Sequence, residues 1–168
     1  MDKTRILFVC LGNICRSPLA EAIMKRRLEE RGLSGTILVD SAGTGGWHVG
    51  ELPDERARRH GASRGYTVDS RARQFDPDTD FDAFDMVIGM DEQNVRDLYS
   101  MANSERDREK VHRATAFCRC HPGHAGVPDP YFGGSSGFEL VVDMLEDVAE
   151  GILEHLAGKV SPSVSHGA

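Results

Sequence analysis

Apolar residues fall along the chain in blocks whose periods alternate between those of buried strands and of amphipathic helices. The first block, Arg5 to Val9, is a short, nearly unbroken apolar run that stops at Gly12-Asn13, the pattern of a strand buried on both faces. Ser17-Pro18 then opens a helix, with the serine suited to capping free N–H groups and the proline to the first helical position. Leu19, Ala20, Ala22, Ile23, Met24 and Leu28 supply its apolar side, and Gly32 stops it. Thr36 to Val39 reads as a second strand, followed by Asp40-Ser41-Ala42-Gly43-Thr44 and a glycine-rich loop to Gly50. Pro53 to about Ser63 has the character of a charged surface helix. Asp85 to Met90 predicts a third strand, leading to an amphipathic helix with Val95, Leu98 and Tyr99 on one face. Val111 to Phe117 is a weaker fourth strand. The last helix has the strongest pattern, with Phe138, Val141, Val142, Leu145, Val148, Ala149, Ile152, Leu153 and Leu156 recurring at three- and four-residue steps.

Strands alternating with helices imply right-handed crossovers and an α/β fold, a parallel sheet with helices on both faces. The length of 168 residues and an apolar fraction of 39% suit one ordinary core. A single domain is therefore expected over 1–158. From 159 to 168 the periodicity gives way to serine, glycine and proline, which reads as a loose C-terminal tail.

The net charge of -7 argues against broad binding to nucleic acid or to an anionic membrane and confines any anion site to a local cationic pocket. No apolar run is long enough for a signal-peptide core or a membrane span. The four cysteines form two close pairs, Cys10/Cys15 and Cys118/Cys120, rather than the spread framework of a small secreted protein, which points to a reducing cytoplasm.

The candidate chemistry begins where the first strand meets the first helix. Cys10-Leu11-Gly12-Asn13-Ile14-Cys15-Arg16-Ser17 occupies a turn in which unpaired N–H groups and the positive end of a helix dipole favour an anion such as phosphate. Cys10 starts the turn, and a cationic loop curled above its sulfur favours the thiolate, the nucleophilic form. Arg16 adds a planar fork that binds two phosphate oxygens, a geometry lysine does not reproduce. The hydroxyl of Ser17 is placed to hydrogen-bond the thiolate and stabilise it as a leaving group. Further on, Asp129 sits between two prolines in a stiff loop, either as a common Asp-Pro turn or as a carboxyl group held over a pocket. Trp47, the only tryptophan, is either an interior anchor or a flat wall for an aromatic ligand. Cys118, Cys120, His121 and His124 are of metal-ligating types, but their spacing is too cramped for a standard four-ligand zinc site, and no metal is expected there.

Through Val9 to Pro18 and Asp129-Pro130-Tyr131, with Ser41 to Thr44, Ala72-Arg73-Gln74 and Met90-Asp91 in the same order, the chain resembles the low-molecular-weight protein tyrosine phosphatase family. The resemblance spans about residues 4 to 158. It implies a flavodoxin-like three-layer sandwich whose four parallel strands run in the order 2-1-3-4. It also implies hydrolysis of phosphotyrosine through a phosphocysteine, with no metal or cofactor. Cys10 then becomes the nucleophile, Arg16 and the backbone of residues 11 to 15 the phosphate binders, and Asp129 the general acid and base. Trp47, Tyr131 and Phe132 become the aromatic specificity walls, with Phe132 departing from the family's frequent Tyr-Tyr pair. Asn13 and Ser41 resemble a network that holds the loop, where Asn13 suits a left-handed backbone. Ser70 stands where many members carry histidine.

Cys15 is placed by the same likeness to trap an oxidised Cys10 as a reversible disulfide. The expected partners are tyrosine-phosphorylated proteins or peptides, with phosphate as product, and the chain itself is expected to be a monomer. An arsenate reductase needs further thiols for its relay. Relatives acting on phosphoarginine commonly carry threonine where Ile14 stands. A phosphotyrosine-binding module without turnover leaves both Cys10 and Asp129 unexplained.

Overall fold

The computed structural model describes residues 3–121, 123–131 and 135–167. Its centre is a four-stranded parallel sheet of β1 (Thr4–Cys10), β2 (Ile37–Gly43), β3 (Met86–Gly89) and β4 (Val111–Arg113), in the order β2-β1-β3-β4. That is the 2-1-3-4 order of the flavodoxin-like sandwich. Register runs from Thr4 opposite Ile37 to Cys10 opposite Gly43, so the ends of β1 and β2 arrive at the same edge. β1 is buried on both faces because its alternate residues enter different cores. Ile6, Phe8 and Cys10 pack on the side of α1 (Arg16–Glu30) and α6 (Ser135–Gly167), while Leu7 and Val9 meet Phe75, Phe81, Val95 and Leu98 on the other. The second face is closed by two shorter helices, α3 (Asp80–Ala83) and α4 (Glu92–Met101). α2 (Glu55–Ser63) packs against α6, and α5 (Glu105–Glu109) leads into β4.

This strand order reverses direction at β1. The crevice beyond the carboxyl ends of β1 and β3 is thus the place where an open α/β sheet presents its ligand-binding loops.

Several local expectations change. α1 starts at Arg16, no side chain caps it, and Pro18 falls third rather than first. Ser17 is therefore not a cap, and the first-turn N–H groups are left for another acceptor. Gly32 does end the helix, at φ 68°. β4 stops at Arg113 and turns into a 3-10 helix over Ala114–Phe117, because β3 supplies partners only from Val87 to Gly89. Tyr99 is exposed, while Val95 and Leu98, with the capping Asn94, carry the buried face of α4. The backbone of α6 remains helical to Gly167, past the point at which a loose tail is expected. A helix already nucleated adds a hydrogen bond per residue and needs no apolar face to propagate.

Candidate active site

Residues 11–15 curl between the end of β1 and the first turn of α1, and the curl is tied down from several sides. Asn13 takes φ 58°, the left-handed conformation that its short polar side chain tolerates. Its amide is fully used: Nδ2 donates to Ser17 Oγ at 2.8 Å and Ser41 Oγ at 3.0 Å, and Oδ1 accepts from the Arg73 N–H at 2.9 Å. Gly43, at the end of β2, allows the backbones to approach, since a Cβ there would lie 2.9 Å from Leu11 O and 3.0 Å from Asn13 N.

A chain of hydrogen bonds with a fixed direction reaches the thiol. The buried Glu21 carboxylate accepts from Ser41 Oγ at 2.5 Å, so Ser41 oxygen is an acceptor for Asn13. Asn13 in turn donates to Ser17 Oγ, leaving the Ser17 proton for Cys10 Sγ at 3.0 Å or the more distant Ala42 carbonyl at 3.4 Å. The sulfur is the nearer partner, and a thiolate there would receive a hydrogen bond from Ser17. Burial pushes the Cys15 thiol well above its ordinary value, with Asp54 and Cys10 adding to the effect.

Arg16 is buried beneath the loop. Nη1 donates to Asp91 Oδ2 at 2.7 Å and to the Val127 carbonyl at 3.0 Å, while Nη2 lies 3.6 Å from Asp129 Oδ2. Burial opposes its charge, but Cys10 and the Asp91 hydrogen bond outweigh that and raise it further above its already high value. Asp91 can hold this position because it is also the N-cap of α4. Its Oδ1 accepts from Asn94 N at 2.8 Å, and Asn94 closes a capping box.

The loop bearing Asp129 is fixed from α2. Arg56 Nη2 donates to the Tyr131 carbonyl at 2.7 Å, its guanidinium lies over the Tyr131 and Phe138 rings, and Asp54 accepts from Nε at 3.0 Å and from the same Nη2 at 3.1 Å. Asp54 N–H donates to Ile14 O at 2.8 Å, so one short segment touches both the Cys10 loop and the Asp129 loop. Between them lies a cavity of about 310 Å³, lined by Cys10, Ile14, Arg16, Trp47, His48, Asp129 and Tyr131 among others.

Over residues 5–162 the sequence matches the family described as "Low molecular weight phosphotyrosine protein phosphatase". The chain belongs to this family. It is 44% identical over 153 residues to the low molecular weight protein-tyrosine-phosphatase of Streptomyces coelicolor, covering 89% of this chain and 91% of that protein. A protein tyrosine phosphatase of Entamoeba histolytica superposes with a TM-score of 0.90 at 41% identity, over 94% of this chain and 99% of that one. An arginine phosphatase of Drosophila also matches, with a TM-score of 0.83 at 32% identity, over 90% of this chain and 96% of that one.

Within this phosphatase fold, Cys10, Leu11, Gly12, Ile14, Cys15, Arg16, Trp47, Asp129 and Tyr131 all line one cavity, and Asn13, Ser17 and Ser41 form the network behind it. Trp47 is exposed rather than an interior anchor. Phe132 lies outside the described residues. Ser70 makes no side-chain hydrogen bond among the described residues. The carboxylate that closes the network is Glu21, paired outward with Lys25.

Sequence reading misses Glu21, Asp54, Arg56 and His48, and gives Asp91 no role. Glu21 carries a usable signal, since it follows Ser17 by four residues on the buried side of α1.

Cys118, Cys120, His121 and His124 do not line the cavity. Asp147 accepts from Arg119 N–H at 3.1 Å, Cys120 N–H at 2.9 Å and His121 Nδ1 at 3.0 Å. Among the described residues no three His, Cys, Asp or Glu side chains are grouped to hold a metal ion. Burial, with Asp147 beside it, pushes the Cys118 thiol up to about 12.

Burial opposes the charge of Asp147, but the His121 and backbone hydrogen bonds win and hold its carboxyl below the usual 3.8. A folded carboxyl that is the stronger acid contributes stability above its unfolded value, and the contribution is lost as pH falls through the lower folded value. The melting temperature is therefore expected to fall as pH drops below about 4. Asp147→Asn should flatten part of that fall in a pH series of melting curves. An unchanged acid slope would remove Asp147 from its cause.

Proposed function

We propose that this phosphatase hydrolyses phosphotyrosine in proteins or peptides through a phosphocysteine on Cys10. The observation that carries the reading is the meeting of Cys10, Arg16 and Asp129 on one cavity, with Trp47 and Tyr131 as its aromatic members. The Cys10 thiolate attacks phosphorus, forming the S–P bond as the P–O bond breaks, and the Asp129 carboxyl gives its proton to the departing phenol oxygen. Asp129, now a carboxylate, takes a proton from water as that water attacks phosphorus. The P–S bond breaks, phosphate leaves, and the thiolate returns to the hydrogen bond of Ser17. Arg16 and the N–H groups of residues 11 to 15 hold the equatorial oxygens, which carry the charge of the transition state. None of these steps requires a metal or cofactor.

Trp47 and Tyr131 offer a slot that a phenyl ring fills and a phosphoserine does not. Phe132 is assigned to the same wall from the family likeness alone. Cys15 serves as the partner that traps oxidised Cys10 as a disulfide, a reading supported by its place in the same curled loop and by the family likeness. We assign the activity to one domain over residues 1–158, acting as a monomer in the cytoplasm. No helix among the described residues is long and apolar enough to cross a membrane.

Asp129→Ala should lower kcat on phosphotyrosine peptides by about 10²- to 10⁴-fold. The loss should be far smaller in the first step for para-nitrophenyl phosphate, whose leaving group needs little protonation. Phosphotyrosine, phosphoserine and phosphoarginine peptides compared side by side test the substrate class. Faster turnover of phosphoarginine would favour the activity of the Drosophila relative over phosphotyrosine hydrolysis.

A further inference from the structure

Five of the seven exposed large hydrophobic side chains among the described residues, Leu11, Trp47, Val49, Leu52 and Tyr131, are carried by the three segments that surround the Cys10 cavity. Leu11, Trp47 and Tyr131 line that cavity and are also open to solvent. Val49 and Leu52, 59% and 38% exposed, follow Trp47 on a loop pinned to the phosphate loop at both ends. Gly45 N–H donates to Leu11 O at 2.9 Å and Asp54 N–H to Ile14 O at 2.8 Å. The Trp47 ring is seated as well as exposed. A Cβ on Gly45 would lie 1.8 Å from Trp47 Cζ3, so the ring rests on backbone that only glycine leaves bare, with 70% of the residue facing solvent.

Two of the basic side chains at this rim face a carboxylate, and two are turned to backbone carbonyls and keep their charge. His48 faces Glu51 at 3.2 Å, Arg56 holds Asp54 at 3.0 Å, Arg71 donates to Gly50 O and Arg58 to Pro53 O.

We propose that this apolar rim, from Leu11 through Trp47 to Val49 and Leu52, docks the residues beside the phosphotyrosine, and that the preferred substrates carry apolar rather than acidic neighbours there. The proposal rests on phosphotyrosine chemistry at Cys10 and adds the sequence class of the substrate. The occupant is identified by continuity, because a chain whose phosphotyrosine ring enters between Trp47 and Tyr131 must lay its adjoining residues on the rim that these two side chains begin. Burying one aliphatic side chain there is worth about a tenfold change in kcat/KM.

Two phosphotyrosine peptides, identical except for leucines or glutamates flanking the phosphotyrosine, test this against wild type, Val49→Glu, Leu52→Glu and Gly45→Ala, with para-nitrophenyl phosphate as a small substrate. Wild type should favour the leucine peptide by about tenfold in kcat/KM. Both glutamate variants should shrink that ratio through KM, and Gly45→Ala should do so by displacing Trp47. If para-nitrophenyl phosphate is not turned over, the proposed chemistry itself fails. If it is turned over but the peptides are used equally, or the glutamate peptide is favoured through Arg58 and Arg71, only the docking proposal is overturned. A leucine preference that survives intact in all three variants also overturns it.

Discussion

Cys10→Ser is expected to abolish turnover of para-nitrophenyl phosphate and of phosphotyrosine peptides, with kcat lower by on the order of 10⁴-fold or more. The exchange changes one atom in a buried position at the end of β1, so the loop, Ser17 and Arg16 remain to bind phosphate. What disappears is the thiolate. A serine hydroxyl stays protonated at neutral pH, and among the described residues the side-chain hydrogen-bond partner of Cys10 is Ser17, not a histidine or carboxylate that could deprotonate it. Phosphate should therefore still protect the variant in a thermal shift assay while steady-state kinetics show no turnover. Retained activity would move the nucleophile elsewhere.

Arg16→Lys should cost about 10²- to 10³-fold, mostly in kcat. The guanidinium reaches Asp91, the Val127 carbonyl and Asp129 at once from beneath the loop, and its plane presents two nitrogens together. An ammonium has a single point of charge, and pulling it to Asp91 takes it from the phosphate. The charge is kept, so substrate attraction falls less than transition-state binding, which is the reason for a larger fall in kcat than rise in KM. Asp91→Asn should show a weaker form of the same pattern, because Arg16 keeps the Val127 carbonyl. An Arg16→Lys enzyme with normal kcat would show that bidentate binding contributes nothing to the reaction.

These two residues also mark how far the sequence can be read. Cys10 and Arg16 lie six positions apart in one strand-turn-helix unit, so local order along the chain already places them around one anion site. β1 and the apolar stripe of α6 are legible for a similar reason, since continuous runs and three- and four-residue steps are local signals. Asp91 is of another kind. It reaches Arg16 only because β3 lies beside β1, and its capping pattern with Asn94 explains the start of α4 equally well. Arg56 looks like one of several charges on a surface helix until Tyr131 and Phe138 are brought against it. β4 could not be bounded because its length is set by β3. Ser17 has the chemistry of an N-cap, but it is drawn inward by Asn13 and Cys10. α3 and α5, at four and five residues, are too short for any period to show.

The most direct measurement of the central claim is to catch the phosphoryl group on sulfur. With para-nitrophenyl phosphate the first step needs little help from an acid, whereas hydrolysis of the intermediate still needs the Asp129 carboxylate to activate water. Asp129→Ala mixed with this substrate and quenched rapidly should therefore accumulate phosphoenzyme. Peptide mass spectrometry should find the phosphoryl group on Cys10 and a burst of para-nitrophenol matching it in amount. Turnover with no phosphoenzyme, or with the phosphoryl group on any other residue, would contradict the account.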